Sequence, residues 1–433
     1  MLVGMEHKLV LCGILLPALG LFGQQPAPLT ISFDDALQRA RKYGIEIQTA
    51  NIAVLLARED RVQAKASLLP QTQSFSQFIY TQPNGTPSGV FVANDGPHIY
   101  NIQAQGHQDF SLTKYAEYRR TIAAEAVAKA KADVAARGLV ATTVQDYYAV
   151  VIAQRKLVNA QRTLDDARRF LDLTQKQERG GEAAHADVVK AELQVRQHER
   201  DVLDAQLAID KARVALAVLI FPEFRQDYTV VDDLDQAPPL APFPEIQELA
   251  IAKSPELRAA QAGLLEGAAE INVARTGYLP ALALDYFYGL DANQVAIHNR
   301  EGMNLIGSVA QATLTIPVWT WGATQSKIRQ AELKQKQAQL ELTAAQRLLM
   351  ANLNSFYLEA QLAKSELDSL KKSLDLSAES LRLTVLRYQA GEATALEVVD
   401  AQTTLAQARN AYDEGLSRYR VAVANLQTLT GSL

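Results

Sequence analysis

The sequence has almost no cysteine and little excess of either charge. Cys12 is the single cysteine among 433 residues, which excludes a disulfide framework and a cysteine-based metal site. The formal net charge is −5 and no basic cluster stands out, which argues against a nucleic-acid-binding protein. Beyond the N-terminus, no apolar run approaches the ~18 residues of a spanning helix. A helical membrane bundle is therefore excluded as well.

Residues with catalytic potential are sparse. The sequence contains neither a glycine-rich phosphate loop nor a nucleophile elbow. His185 and His198 are thirteen residues apart, which is about 20 Å along a helix and too far to share a metal ion. We expect a protein that is not an enzyme, binds no metal or cofactor, and takes its energy from a partner.

Residues 1–23 predict a secretory signal peptide. A basic start precedes an apolar run over 9–16, and small residues follow around Gly20, so cleavage after Gly20 or Gly23 fits signal peptidase. A buried N-terminal helix is the alternative. Removal of the signal would also remove Cys12, and a mature chain without a thiol suits an oxidising compartment outside the cytoplasm.

Several motifs recur at a spacing of 210 residues. They are Leu69-Pro70 with Leu279-Pro280, Gly181-Glu182-Ala183 with Gly391-Glu392-Ala393, and Val188-Val189 with Val398-Val399. A shared offset over this length indicates two structurally equivalent halves. We place the first repeat at 30–220, a proline-rich linker at 221–245, and the second repeat at 246–433.

Each half contains a long tract without proline. The two tracts, 118–221 and the residues after 317, are rich in good helix formers and carry apolar residues with 4-3 spacing. Each tract is interrupted by glycine, at Gly180 and Gly181 in the first and at Gly391 in the second, and glycine there suits a helix end and reversal. The pattern predicts two long antiparallel helical hairpins that pack as coiled coils.

Four segments have the residue pattern of β-strands. They are 71–80, 99–113, 281–289 and 307–317, about ten residues each, separated by turn residues. Aromatic residues at their ends, such as Tyr278, Trp319 and Trp321, are typical of membrane-interface girdles. A small soluble sheet is the alternative for these segments.

Ten-residue strands are long enough to cross a bilayer when tilted. Four strands cannot close a barrel, and an open edge in lipid would leave backbone groups unpaired at a cost of several kcal/mol each. Strands in the membrane must therefore close across subunits, with eight strands from a dimer or twelve from a trimer. At the larger size an open pore is favoured over a packed interior.

The segment from Arg387 to Leu405, which contains Arg-Tyr, Gly391 and Val-Val-Asp-Ala-Gln, resembles the helix-hairpin tip of TolC-like outer-membrane efflux proteins. The copy from Gly181 to Glu192 is similar to the matching first-half tip. The Leu-Pro pairs before the strands and the Trp-Thr-Trp-Gly motif ending at Gly322 are also similar. The resemblance extends over about residues 30–433.

This resemblance implies a mainly α fold with a β membrane portion. Three copies would share a 12-stranded barrel in outer-membrane lipid, and their helical hairpins would form an α-barrel across the periplasm. The linker and both chain ends would form an equatorial region. The implied partners are a periplasmic adaptor (membrane fusion) protein and an inner-membrane transporter of the RND, ABC or MFS type, with no nucleic acid.

The resemblance also assigns residues at the periplasmic tips. The family places its gate and acidic constriction at Asp187, Tyr388, Glu397 and Asp400. The tip turns that would contact the adaptor contain Gly180, Gly181, Gly391 and Glu392. Glu397 and Asp400 are three residues apart and share a helix face. Threefold symmetry would give six carboxylates with raised, coupled pKa values that favour cations; the alternative is a solvated helix surface.

One position departs from the family pattern. Ala393 stands where the family carries a basic residue that bridges to the first-half aspartate, Asp187. Arg179 and Arg387 are nearby substitutes, or closure rests on Tyr388 hydrogen bonding and tip packing. Either way, we expect Tyr388→Phe combined with Asp187→Ala to raise single-channel conductance.

Two other classes of protein share some of these features. A periplasmic adaptor also has a long helical hairpin, but usually only one, so the repeat argues against it. A soluble exported coiled-coil scaffold would have the helices without the membrane strands. Recovery of the mature protein in the membrane fraction, with heat-modifiable migration, separates a conduit from a scaffold.

Overall fold

The computed structural model describes residues 29–80, 98–223, 227–236 and 238–432. The predicted signal peptide, 1–23, lies outside the described residues. Eight helices account for most of the described chain: α1 (Phe33–Tyr43), α2 (Ile45–Ala66), α3 (Leu112–Gly180), α4 (His185–Ile220), α5 (Phe243–Lys253), α6 (Pro255–Thr276), α7 (Ala323–Gln389) and α8 (Ala395–Thr430). None of these described helices is both long and apolar enough to cross a membrane.

The two longest helices set the dimensions of the molecule. α3 has 69 residues and α7 has 67, which corresponds to about 100 Å each at a rise of 1.5 Å per residue. α4 and α8 have 36 residues each and pack on α3 and α7, so the two predicted long helical hairpins are confirmed, each with one arm shorter than the other. The first part of α3 packs instead against α2 and α6, through ion pairs such as Arg61 with Glu125 and Arg120 with Glu266.

The strands form two sheets. They are β1 (Leu29–Ile31), β2 (Gln71–Tyr80), β3 (His98–Ser111), β4 (Tyr228–Val230), β5 (Ala281–Ala292) and β6 (Ile306–Thr315). β2, β3, β5 and β6 form an antiparallel sheet in that order, which confirms the four predicted strands. Among the described residues, the outer edges of β2 and β6 have no partner.

The continuous strand register gives this sheet two different faces, because side chains alternate along each strand. The face we term the apolar face includes Phe78, Tyr100, Ile102, Ala104, Phe110, Leu282, Leu284, Tyr286, Tyr288, Ala310, Ala312 and Leu314, together with the polar Thr72, Ser74, Ser76, His98, Gln108 and Ser308. The opposite, polar face includes Gln71, Gln73, Gln77, Asn101, Gln103, Gln105, His107, Asp109, Asp285, Asp291, Gln311 and Thr313, together with the apolar Phe75, Ile79, Ile99, Phe287 and Val309. All three carboxylates of the four strands therefore lie on the polar face.

The polar face contains a hydrogen-bonded chain that crosses three strands. Gln73 Nε2 donates to Gln105 Oε1 at 2.5 Å, and Gln105 Nε2 donates to Asp285 Oδ1 at 3.1 Å. His107 Nδ1 lies 2.7 Å from the same Asp285 oxygen. These contacts depend on strand register, and the sequence pattern alone does not predict them.

Equivalent elements begin 210 residues apart. α1 begins at Phe33 and α5 at Phe243, α2 at Ile45 and α6 at Pro255, and α4 at His185 and α8 at Ala395. The element order of helix, helix, two strands, long helix and shorter helix recurs on both sides of the segment that contains β4.

The largest core cluster lies around the middle of α3. Val144, Tyr147 and Tyr148 are fully buried there, and Phe33 of α1 packs on both tyrosine rings at 5.4 and 5.6 Å between centroids. β1 pairs in parallel with β4 beside this cluster. The sequence pattern did not predict this short sheet, which joins the start of the described chain to the linker.

Arg155 connects three elements next to this core. Its guanidinium lies 2.5 Å from Asp232 and 3.0 Å from Asp235, both in the linker, and 3.0 Å from Asp413 of α8. Asn159 Nδ2 donates to the other oxygen of Asp413 at 2.8 Å. One α3 residue therefore holds the linker and α8 together.

We expect Arg155→Ala to lower the free energy of unfolding by about 1–3 kcal/mol, because the buried Asp413 loses its charged donor and keeps only Asn159, and the linker loses its ion pairs with α3. Thermal melting of the purified protein measures this change. Arg155→Lys is the matched control: it keeps the charge but loses the planar fork, so it should fall between wild type and Arg155→Ala. Equal melting of all three proteins would contradict a structural role for this residue.

Candidate functional site: the helix tips

The two helical hairpins reverse at glycine. Gly181 has φ +75° and Gly391 has φ +79°, both in the left-handed region that disfavours residues with a Cβ. Glu182 N–H donates to Gln177 O, and Glu392 N–H donates to Arg387 O, both at 2.8 Å. These bonds satisfy the last carbonyls of α3 and α7. The helix ends predicted at Gly180, Gly181 and Gly391 are confirmed.

A cavity of about 610 Å³ lies between the two tips. Its lining comes from both halves and includes Gln177, Asp187, Lys190, Tyr388, Gly391 and Thr394. Two of the four predicted gate residues, Asp187 and Tyr388, therefore share one cavity. Glu397 and Asp400 do not line it and are exposed on α8.

Tyr388 joins the two tips through its ring. It is only 5% exposed and meets Phe170 of α3 edge-to-face, with centroids 5.1 Å apart. Val398 and Val399 complete this buried cluster. Within the described residues of one protomer the Tyr388 hydroxyl is buried without a hydrogen-bond partner. Within these residues Tyr388 therefore contacts the tips by packing, and a hydrogen bond from its hydroxyl in the assembled channel stays a prediction.

Glu397 caps α8. Thr394 N–H donates to Glu397 Oε1 at 3.1 Å, and Glu397 N–H donates to Thr394 Oγ1 at 3.3 Å, which forms a capping box. The backbone and hydroxyl hydrogen bonds from Thr394 lower the pKa of Glu397, with a smaller contribution from Arg387. Within one protomer the cap thus lowers the pKa of Glu397, and the raised pKa expected for a threefold ring of carboxylates stays a prediction.

Arg387 is engaged within its own tip. Its guanidinium lies 3.6 Å from Glu397 Oε2 and donates to Glu392 O at 3.1 Å across the α7–α8 turn. Neither Arg387 nor Arg179 forms an ion pair with Asp187 in the described part of the chain. Among the described residues of one protomer, no other basic residue therefore takes the place of the one that the family carries at position 393.

The N-terminus of α4 is equivalent to that of α8 but has different side-chain contacts. Its N-cap is Ala184, which has no side chain that can cap the helix. Asp187 stands 210 residues before Glu397 but has no threonine to pair with. His185 Nδ1 instead lies 2.7 Å from Glu178 across the first-half turn. The two tips therefore have the same backbone turn but different side-chain contacts.

Comparisons with known proteins agree with this architecture. A family model described as Outer membrane efflux protein matches residues 246–432. The chain is 26% identical over 322 residues to the cobalt-zinc-cadmium resistance protein CzcC of Cupriavidus metallidurans, covering 73% of this chain and 72% of that protein. It is 22% identical over 409 residues to the outer membrane protein TolC of Escherichia coli, covering 92% and 81%.

The fold agrees over both halves. The crystal structure of the outer membrane protein VceC from Vibrio cholerae superposes with a TM-score of 0.78 at 16% identity, covering 92% of this chain and 96% of that one. Residues 246–432 match the outer membrane efflux protein family, and the chain as a whole is similar to TolC and to related outer-membrane channels. It is an outer-membrane protein, and its long helices form the extension that carries the tips.

One feature of these tips can be predicted from the sequence, and another cannot. Thr394-Ala-Leu-Glu397 before an apolar run is a capping-box motif, so the fixed position of Glu397 was accessible. The contact of Arg387 with Glu392 O depends on the closed glycine turn, and no sequence pattern signals it.

The capping box makes the second tip sensitive to pH. Because folding lowers the pKa of Glu397, its carboxylate stabilises the cap at neutral pH. This stabilisation is lost as pH falls below the ordinary value of 4.5 and through the lower folded-state value. We expect a spin label at Ala390→Cys to become more mobile over this acidic range.

Thr394→Ala is the control for this titration. It removes the cap, worth about 1 kcal/mol for a typical helix, so the label should already be mobile at neutral pH and change little on acidification. The same pH profile in both proteins would show that Glu397 does not control the order of the turn.

Proposed function

We propose that this chain forms, as a homotrimer, the outer-membrane exit duct of a tripartite efflux or type I secretion system. Substrates would enter at the periplasmic tips and leave through a shared β-barrel. The observation that carries this proposal is the four-stranded sheet, which has two open edges and two chemically different faces.

A sheet with one apolar and one polar face fits a barrel wall between lipid and water. The apolar face has aromatic and aliphatic side chains opposite lipid, and the polar face has Asp109, Asp285 and His107, which need water or one another. β2 and β6 would have to pair with neighbouring copies, because an unpaired edge is not tolerated in hydrocarbon. Twelve strands from three copies would enclose an aqueous channel.

The helices also indicate that neighbouring copies pack side by side. Among the described helices, α7 packs on α6, α8 and, less extensively, α5, and it also has an exposed apolar surface. That helix carries exposed Leu333, Leu340, Leu348, Leu358, Leu362, Leu376 and Leu383. The opposite margin of the chain carries exposed Ile52, Leu55, Leu56 and Val62 on α2 and Leu193, Leu203 and Leu207 on α4. Apolar margins of this extent favour burial against another copy.

At the tips, we assign the gate to Tyr388 and Asp187 around the shared cavity, with Glu397 and Asp400 as the acidic surface of α8. The turns containing Gly180, Gly181, Gly391 and Glu392 would contact a periplasmic adaptor protein. An inner-membrane transporter of the RND, ABC or MFS type would supply the energy.

The 210-residue offset between elements supports an internal duplication. The first repeat, 30–220, and the second repeat, 246–433, would each contribute one helical hairpin and two strands. The linker, 221–245, would form an equatorial layer with both chain ends, where β1 pairs with β4.

Two measurements on detergent-purified mature protein test the proposal. Native mass spectrometry should give three copies, and planar-bilayer recording should give discrete, cation-favouring conductance steps. A soluble monomer that produces no conductance in planar bilayers would overturn the proposal and favour an exported scaffold.

A further inference from the structure

One pair of ionisable side chains lies side by side on the polar face of the sheet. His107 of β3 is directly opposite Asp285 of β5, and its Nδ1 is 2.7 Å from Asp285 Oδ1. Gln105 Nε2 donates to the same oxygen at 3.1 Å. Because a carboxylate anion only accepts hydrogen bonds, the neutral imidazole donates through Nδ1 and takes up a further proton at Nε2. The imidazole is one-third exposed, so water can deliver that proton.

The sheet contains few other charges. Its four strands have no lysine or arginine. Asp109 lies two residues along β3 from His107, and its carboxylate is 3.0 Å from Lys114 Nζ at the start of α3. Asp291 lies six residues beyond Asp285, toward the far end of β5. The charge of the pair is therefore not offset by a fixed cation on the strands.

The surroundings of the imidazole are otherwise neutral. Around His107, the charged groups on this face are Asp285 from β5 and Asp109 from β3, and Asp109 is paired with Lys114. The second histidine of the strands, His98, lies on the apolar face. The uncharged neighbours on the polar face are Gln71 and Gln73 on β2, Gln105 on β3, Ala283 and Phe287 on β5, and Gln311 and Thr313 on β6.

We propose that His107 determines the ion selectivity of the barrel lumen through its pair with Asp285, an inference that rests on the proposed function. In that channel the polar face lines the lumen, where side-chain charge sets selectivity. Histidine changes its charge between about pH 5 and 8. The pair carries one negative charge when the imidazole is neutral and none when it is protonated.

Threefold symmetry would place three such pairs at one level of the lumen. This level would carry three negative charges at the upper end of the histidine range and almost none at the lower end. A ring of one sign of charge concentrates counter-ions in a channel. The barrel should therefore favour cations most strongly at high pH and lose this preference as pH falls.

This level is separate from the acidic residues at the tips. His107 is four residues before the end of β3, whereas Glu397 lies at the far end of α7, beyond 67 helical residues. A pH effect that arises at the tips would survive a change at His107. Variants of the pair therefore separate the two levels.

Reversal potentials in planar bilayers test the proposal. The purified oligomer is recorded in a potassium chloride gradient of low ionic strength at pH 8 and at pH 5. We expect the permeability ratio of potassium to chloride to fall several-fold in wild type on acidification. The fall should nearly disappear in about 1 M salt, where the Debye length is about 3 Å.

Three variants make the assignment specific. His107→Gln keeps a donor for Asp285 but takes up no proton, so it should retain its pH 8 selectivity at pH 5. Asp285→Asn removes the negative charge and should favour cations less than wild type already at pH 8. His298→Gln is the matched control, because it makes the same replacement in the loop between β5 and β6, and it should show the wild-type fall.

Several results would overturn the role of His107. They are a permeability ratio that does not change with pH in wild type, a wild-type fall in His107→Gln, loss of the fall in His298→Gln, or a fall of full size in about 1 M salt. Conductance steps are recorded first. Normal steps with any of these results refute this inference and leave the channel intact, whereas wild-type protein without conductance refutes the proposed function and this inference with it.

Discussion

Replacing Ala310 by lysine should prevent the oligomer from assembling in the membrane. Ala310 lies near the middle of β6 on the apolar face, directly opposite Tyr286. A lysine at the midplane of a barrel's lipid face costs about 2–4 kcal/mol per copy, and a trimer bears this cost three times. We expect Ala310→Lys to be lost from the membrane fraction and to show no heat-modifiable band.

The adjacent residue provides a matched control. Gln311 lies on the polar face, opposite Asp285, so Gln311→Lys introduces the same side chain beside a carboxylate and water. This variant should assemble as wild type and shift the channel's ion selectivity away from cations. If both lysine variants assemble equally well, the assignment of the two faces to lipid and lumen is refuted.

Removing the ring of Tyr388 should open the tips. The ring fills the buried contact between Phe170 of α3 and the start of α8. Truncation of a buried aromatic side chain to alanine typically costs about 3–5 kcal/mol, and here the loss falls on the contact that holds the two hairpins together. We expect Tyr388→Ala to raise single-channel conductance several-fold in planar bilayers.

Tyr388→Phe separates packing from hydrogen bonding. The hydroxyl has no partner within a protomer, so its removal alone should leave conductance near wild type if packing closes the tip. A conductance rise in Tyr388→Phe equal to that of Tyr388→Ala would instead require a hydrogen bond from the hydroxyl to a neighbouring copy.

Local backbone chemistry explains which parts of the fold were predictable. The strands were predictable from the pattern of their side chains. The helix ends were predictable from glycines that adopt positive φ, as at Gly181 and Gly391. The packing of α2 and α6 on the first part of α3 was not predictable, because it depends on how separate helices align. The β1–β4 pairing has the same origin, since three-residue strands carry almost no pattern.

The candidate site divides in the same way. The sequence resemblance placed Asp187 and Tyr388 near the tips, and the structure brings them to one cavity. Like charges in a threefold ring predict a raised pKa for Glu397, whereas within one protomer the cap from Thr394 lowers it. Interactions across a turn, such as that of Arg387 with Glu392, require the folded backbone.

The exact offset between α4 and α8 has an electrostatic consequence for a threefold assembly. Asp187 and Glu397 occupy equivalent positions, so six acids would stand at one level of the tip. One turn further along, the equivalent residues are Lys190 and Asp400. Around the axis that second level would alternate in sign and nearly cancel, so the net negative field of the entrance would come from the first level and from the turn acids Glu182 and Glu392.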